Sequence, residues 1–178
     1  MPFPAYHFGP VSFLGLSLKR WLDIPVLLAA HFAVDIEVLF AEGWPVHRHW
    51  HFHTFLVGTL VGIAVAFIVF PFRRILEKIM AIIRLPYKAK LWKMLISGIL
   101  GVWLHVLVDS FYHYDVQPFW PNPKNTLYRL RWITKEQVVM ICVVFWILSI
   151  SLYFSYILRN IKIKRSAKKQ EIQNEKNN

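Results

Sequence analysis

His105 and Asp109 sit four residues apart in the stretch Gly101-Val-Trp-Leu-His105-Val-Leu-Val-Asp109-Ser-Phe-Tyr112. In a helix that spacing puts both on one face with Cβ atoms ~6 Å apart, which is half of a metal site. Two further groups carry the same ligand types. His49 and His53 form another i, i+4 pair, provided a helix begins that early, within a seven-residue stretch that holds four of the eight histidines. Asp35 and Glu37 lie in an apolar run that also contains His31. Imidazole and carboxylate suit a catalytic zinc, which takes three protein ligands and a water, or a two-metal site, which takes more. An ionisable side chain in hydrocarbon costs at least ~2.5–3.5 kcal/mol, so residues of this kind inside apolar runs are functional candidates by default.

The elements that must position these groups read as membrane helices. The chain has 178 residues, 56% of them hydrophobic and 16% aromatic, with a formal net charge of +11. Its apolar residues fall in uninterrupted blocks, which predicts an all-α polytopic membrane bundle of four to five spans within one domain, residues 1–165. The spans are 24–40, 54–72, 94–111 and 138–158, with 4–18 as a short or re-entrant fifth. Between Arg73 and Lys93, basic residues alternate with isoleucines at helical spacing, which predicts an amphipathic surface helix over about 73–86. Gly58 and Gly62 make a small-xxx-small pair that permits close helix packing. Residues 112–137 form an aromatic, proline-containing loop of the kind found at a membrane interface. Residues 166–178 read as a basic, polar, disordered tail.

Lys and Arg flank the apolar runs instead of forming a solvated basic domain, so the charge points to anionic lipid and not to nucleic acid. Cys142 is the one cysteine, which rules out a disulfide within the chain. The first basic residues, Lys19 and Arg20, follow the first apolar segment, unlike the order in a cleaved signal peptide.

Placing the turn at 19–23, the segment 73–93 and the tail on one side collects 16 of the 21 Lys and Arg residues there. By the positive-inside rule that side is cytoplasmic, with the C-terminus on it. Asp35, Glu37, His49, His53, His105 and Asp109 then converge at the outer ends of three spans, and His7 joins them if 4–18 crosses. The expected metal site therefore opens outward at the mouth of the bundle, in a multi-pass protein of the cell membrane.

At this point the residues carry a resemblance. His7-Phe-Gly-Pro10, Asp35-Ile-Glu37, His49-Trp-His-Phe-His53-Thr54 and His105-Val-Leu-Val-Asp109-Ser-Phe-Tyr112, in that order and spacing, resemble a prokaryotic family of small integral membrane proteins described as predicted metal-dependent hydrolases. The chain departs from the Pro-Asp-x-Asp form of the first acidic motif, with Val34 before Asp35 and Glu37 as the second acid. The resemblance covers roughly residues 1–121 and implies metal binding and hydrolysis.

The resulting expectation is a divalent cation, zinc first with manganese or magnesium left open, as one or two ions on His7, Asp35, His49, His53, His105 and Asp109. Asp35 or Glu37 accepts a proton from water during attack on an ester or phosphoester. Arg48 pairs with an anionic headgroup. His31, His113 and Asp115 are expected to orient these groups without binding the metal. The outward location suggests a lipid or another membrane-associated substrate. Two other classes compete: a non-catalytic interaction protein that uses the basic segments, and a metal or proton transporter, which needs polar groups through the full bilayer depth.

Overall fold

The computed structural model describes residues 4–37 and 51–177. A single 3₁₀ turn, Pro4–His7, leads into α1 (Phe8–Ser17), and α2 follows as Ile24–Ala33. After a second 3₁₀ turn, His51–His53, come α3 (Phe55–Val69), a turn at Phe70–Phe72 and α4 (Arg73–Ile82). The remaining helices are α5 (Leu91–Tyr112), the short α6 (Thr126–Arg129) and α7 (Lys135–Asn177). No strand occurs among the described residues.

Three runs are long and apolar enough to cross a membrane: Phe55–Ile82, Leu91–Tyr112 and Lys135–Asn174. They contain the expected spans 94–111 and 138–158 and all of 54–72 except its first residue, Thr54, which caps the helix. The 22 residues of α5 rise ~33 Å, against ~30 Å of hydrocarbon. By contrast α1 and α2 have ten residues each, or ~15 Å, so the described helix of the expected 24–40 span is half-length. The two are joined by a turn that carries Lys19 and Arg20, and they form a short helical hairpin. Past residue 166, where composition predicts a disordered tail, α7 continues to Asn177. Lys, Gln and Glu are good helix formers that can extend a helix already nucleated by the span before them.

Close approaches set the order of the bundle. A Cβ on Gly62 would lie 2.5 Å from the Gly98 carbonyl oxygen, and one on Gly58 would lie 2.5 Å from Val102 Cγ1. The pairings 58 with 102 and 62 with 98 make α3 and α5 antiparallel, with backbones nearly touching at Gly62 and Gly98. Gly101 meets the Leu27 carbonyl in the same manner on α2. The Ser97 hydroxyl accepts the Asp23 amide at 2.7 Å, so α2 runs parallel to α5. On the far side, Gly9 packs on Cys142 and Trp146, its carbonyl accepts from the Ser149 hydroxyl, and Phe13 packs against Phe145, which docks α7 along α1. Val26, Ala66 and Met94 pack together near one end of the bundle, with Ala30, Val34, Val102 and Val106 in the layer beyond them.

The basic stretches share one end. Lys19 lies over the Tyr156 ring of α7, the Lys93 ammonium donates to the Arg20 carbonyl, and the Tyr153 hydroxyl donates to the Ile83 carbonyl. Asp23 is fully buried at this end and caps α2, with Oδ1 accepting the Val26 amide at 3.1 Å. Burial pushes its carboxyl up to about 6, partly offset by the Val26 amide and Lys93. α4 buries Met80 alone and leaves Ile75, Ile79 and Ile82 exposed, as an amphipathic surface helix does.

Two predictions follow from packing and charge. Gly98→Val places branched carbons against the Gly62 backbone and is expected to cost about 1–3 kcal/mol or more, read as loss of the monodisperse detergent-solubilised protein. For Asp23 a folded-state pKa above the ordinary 3.8 means that its contribution is present below about pH 4 and lost as pH rises through about 6. Asp23→Asn keeps the cap acceptor and removes the charge. The unfolding temperature of the variant is expected to exceed that of the parent at pH 8, with the gap closing toward pH 4.

Candidate metal centre

Five of the six expected ligands lie in the described residues, and the structure brings all five together. Asp35 follows α2 by one turn, held there by the fully buried Val34. His105 and Asp109 are on the inward face of the last two turns of α5, and both are buried. His7 ends the turn before α1. His53 closes the 3₁₀ turn before α3, and its place is set by Thr54, whose hydroxyl donates to the His51 carbonyl (2.9 Å) and accepts the Val57 amide (3.0 Å). That cap starts the helix at Phe55. His53 therefore reaches the site from a 3₁₀ turn. His49 and Arg48 lie outside the described residues.

Four atoms form a cage. His105 Nε2 is 3.2 Å from Asp109 Oδ2 and 3.4 Å from Asp35 Oδ1. His53 Nε2 is 3.6 Å from Asp109 Oδ2 and 3.9 Å from Asp35 Oδ1. Ligands 2.0–2.2 Å from a tetrahedral ion stand about 3.3–3.6 Å apart, so the observed separations straddle the required ones. The cage fits a divalent cation.

A hydrogen bond behind the cage points the His53 nitrogen inward. Glu37 Oε1 lies 3.3 Å from His53 Nδ1, and Glu37 Oε2 accepts the Phe52 amide at 2.6 Å. When His53 Nδ1–H donates to Glu37, the Nε2 lone pair of the neutral ring faces two carboxylate oxygens, a repulsive arrangement that a cation between them reverses. Glu37 thus stands behind His53, one layer out from the cage.

A second group adjoins the first. His7, His31 and His105 each offer a nitrogen within 4.8 Å of the others. Their rings surround His105, with centroids 5.3 Å away for His7 and 4.6 Å for His31. His31 Nδ1 donates to the Gly101 carbonyl at 3.2 Å, which leaves Nε2 a bare acceptor. His31 Nε2, His7 Nδ1, His105 Nδ1 and Asp109 Oδ1 are all buried without a hydrogen bond. His7 Nδ1 and Asp109 Oδ1 approach to 3.5 Å, which links the two groups. Sequence reasoning placed His31 on the Asp35 face. It did not anticipate the Gly101 carbonyl, because a backbone acceptor on a neighbouring helix leaves no mark in local sequence.

His113 and Asp115 lie beyond the end of α5 and belong to neither ligand group. A side chain missed by the sequence reading holds this region. Asn125, which caps α6, donates to the Ser110 and His113 carbonyls at 3.0 and 2.8 Å and so ties the following loop to the end of α5. Its position before Thr126 was the available signal.

The profile of the YdjM inner membrane protein family matches residues 10–168. The chain belongs to that family. The match extends from the third residue of α1 well into α7 and includes every described ligand except His7. It agrees with the membrane-protein part of the sequence resemblance. Among curated proteins and among solved structures, nothing matches the chain.

Metal analysis of the purified protein tests the cage. His105→Ala and Asp109→Ala are expected to abolish stoichiometric divalent metal, whereas His113→Ala retains it. Metal content unchanged in both cage variants would refute the assignment.

Proposed function

We propose that the chain is a membrane-bound metal-dependent hydrolase that cleaves an ester or phosphoester of a lipid or membrane-associated substrate. The observation that carries this reading is the four-atom cage with one open edge. Asp35 keeps 24% of its side-chain surface exposed, whereas the His53, His105 and Asp109 side chains keep 3% or less. A substrate can reach the cage past Asp35.

A divalent cation held by His53, His105 and Asp109, with zinc fitting the nitrogen and oxygen donors best, would keep a position open on the Asp35 side and would supply Lewis acidity to a water there. Asp35, at the accessible edge, accepts the proton of the attacking water. Glu37 acts as a positioning residue, holding the His53 ring through Nδ1. His31 and His7 complete the buried polar wall behind His105. The basic end faces the cytoplasm and the cage faces outward, in keeping with the Lys and Arg distribution. Arg48, in the segment that leads to His53, is the residue proposed to meet an anionic headgroup.

Transport is disfavoured by what lies between the cage and the basic end. Val26, Ala66 and Met94 pack together near the basic end, and Ala30, Val34, Val102 and Val106 form a fully buried apolar layer between them and the cage. A path for ions through that layer would need polar groups in it.

The purified protein, assayed against lipid esters and phosphoesters with and without a chelator, tests the proposal. Turnover is expected to vanish with chelation and return on adding zinc or manganese. Asp35→Asn is expected to lower kcat by about 10²–10⁴-fold. For Glu37→Gln the expected loss is smaller, with weaker metal retention of about 10–100-fold. Turnover indifferent to chelator and to Asp35→Asn would overturn the hydrolase reading.

A further inference from the structure

At the end of the bundle opposite the histidines, a cleft of about 300 Å³ opens where the α1–α2 turn, the segment after α4, the start of α5 and the flank of α7 meet. Lys19, Arg20, Lys88 and Lys93 line it, with the Tyr87 and Tyr156 rings between them. Among the described residues no carboxylate lies within ion-pair distance of any of the four cations. The nearest acids are already engaged. Glu77 accepts the Ala89 amide at 2.8 Å, and Asp23 caps α2 from beneath. Four cations crowded around two committed carboxylates leave an excess of positive charge that an anion in the cleft would neutralise.

The cations are also held in place. The Lys19 ammonium lies 2.9 Å from the centroid of the Tyr156 ring, and that of Lys93 is pinned on the Arg20 carbonyl. The chain reaches Tyr87 and Lys88 through a sharp turn at Arg84, whose φ of 60° is left-handed, followed by the Leu85 amide donating back to the Met80 carbonyl at 2.8 Å. Beneath the basic rim the floor is apolar: Leu22, Met80 and Leu85 are each 6% exposed or less. A basic rim over an apolar floor matches an amphiphilic anion better than a small hydrophilic one. The exposed Ile75, Ile79 and Ile82 stripe of the adjoining α4 places the cleft at the depth of lipid headgroups.

We propose that this cleft binds the phosphate headgroup of an anionic membrane lipid, with Lys19, Arg20, Lys88 and Lys93 meeting the phosphate oxygens and Leu22, Met80 and Leu85 meeting the glycerol end. The site is independent of the metal centre and of the hydrolase reading.

Native mass spectrometry of the full chain with equal phosphatidylglycerol and phosphatidylcholine tests it. Preferential retention of phosphatidylglycerol is expected. Lys19→Gln and Lys88→Gln should each weaken it about fivefold, and Lys78→Gln, on α4 outside the cleft, should not. Lys88 is exposed and makes no hydrogen bond in the structure, so Lys88→Gln keeps the test valid if Lys19→Gln disturbs the contact with Tyr156. Equal retention of the two lipids, or unaltered phosphatidylglycerol binding by Lys88→Gln, overturns the proposal. Inorganic phosphate that binds the lipid-free protein as tightly, with the same loss in Lys88→Gln, would make free phosphate the ligand and also overturn it.

Discussion

The structure depends on how it accommodates two carboxylates inside an apolar bundle. Asp35 and Asp109 lie within 4 Å of histidine nitrogens, and no lysine or arginine among the described residues pairs with them. Removing a carboxylate from water costs several kcal/mol even after relaxation, so the charge must be matched locally by protons on the histidines or by a cation. Histidine protons alone give an incomplete answer. They leave His31 Nε2, His105 Nδ1 and Asp109 Oδ1 buried without hydrogen bonds. A cation in the cage would offer counter-charge to Asp35 and Asp109 and a partner to the buried His53 Nε2, whereas the His7, His31 and His105 group would keep its own unpaired nitrogens. The same demand explains why the backbone packs so closely nearby. Gly101 lets α2 approach near enough for His31 to reach the Gly101 carbonyl.

Much of this was legible in the sequence because membrane helices announce themselves by composition. The spans at 54–72, 94–111 and 138–158 each coincide, to within one residue at Thr54, with part of a long apolar run of the structure. His105 and Asp109 were readable as a pair because α5 is regular there, and helical spacing translates directly into a shared face. The agreement of charge with architecture was also readable. Lys19, the segment after α4 and the flank of α7 do meet at one end of the bundle.

What failed did so where local rules compete. The i, i+4 argument for His53 assumed a helix through the histidine-rich stretch, yet Thr54 caps the next helix and the residues before it form a 3₁₀ turn. Thr and Ser stop helices by offering a side-chain acceptor to the first free amides, and this signal stood beside His53 in plain view. Glu37, read with Asp35 as a candidate proton acceptor, also lies against His53 Nδ1, a contact between separate elements that no periodicity encodes. Gly58 and Gly62 were recognisable as small residues, but their partner Gly98 belongs to a different helix and could not be assigned without the fold.

The two ends of the molecule are tied by a common ruler. Asp23 and Asp35 are separated by twelve residues along α2 and its flanks, and Lys93 and His105 by twelve along α5. The ten residues of α2 rise ~15 Å, and the turn at 34–35 carries Asp35 the rest of the way, so parallel helices locked at one end are matched at the other. The locks are the Asp23 amide on Ser97 at the basic end and His31 on the Gly101 carbonyl near the cage. Between them Leu27 meets Gly101 and the apolar layer of Val26, Ala66 and Met94 leaves no room for one helix to slide past the other. Asp35 is thereby placed against His105 by a contact one turn away, His31 on Gly101, and by another at the far end of α2, Asp23 on Ser97. A half-length helix such as α2, which cannot anchor itself by spanning the bilayer, can deliver a ligand accurately only through register of this kind.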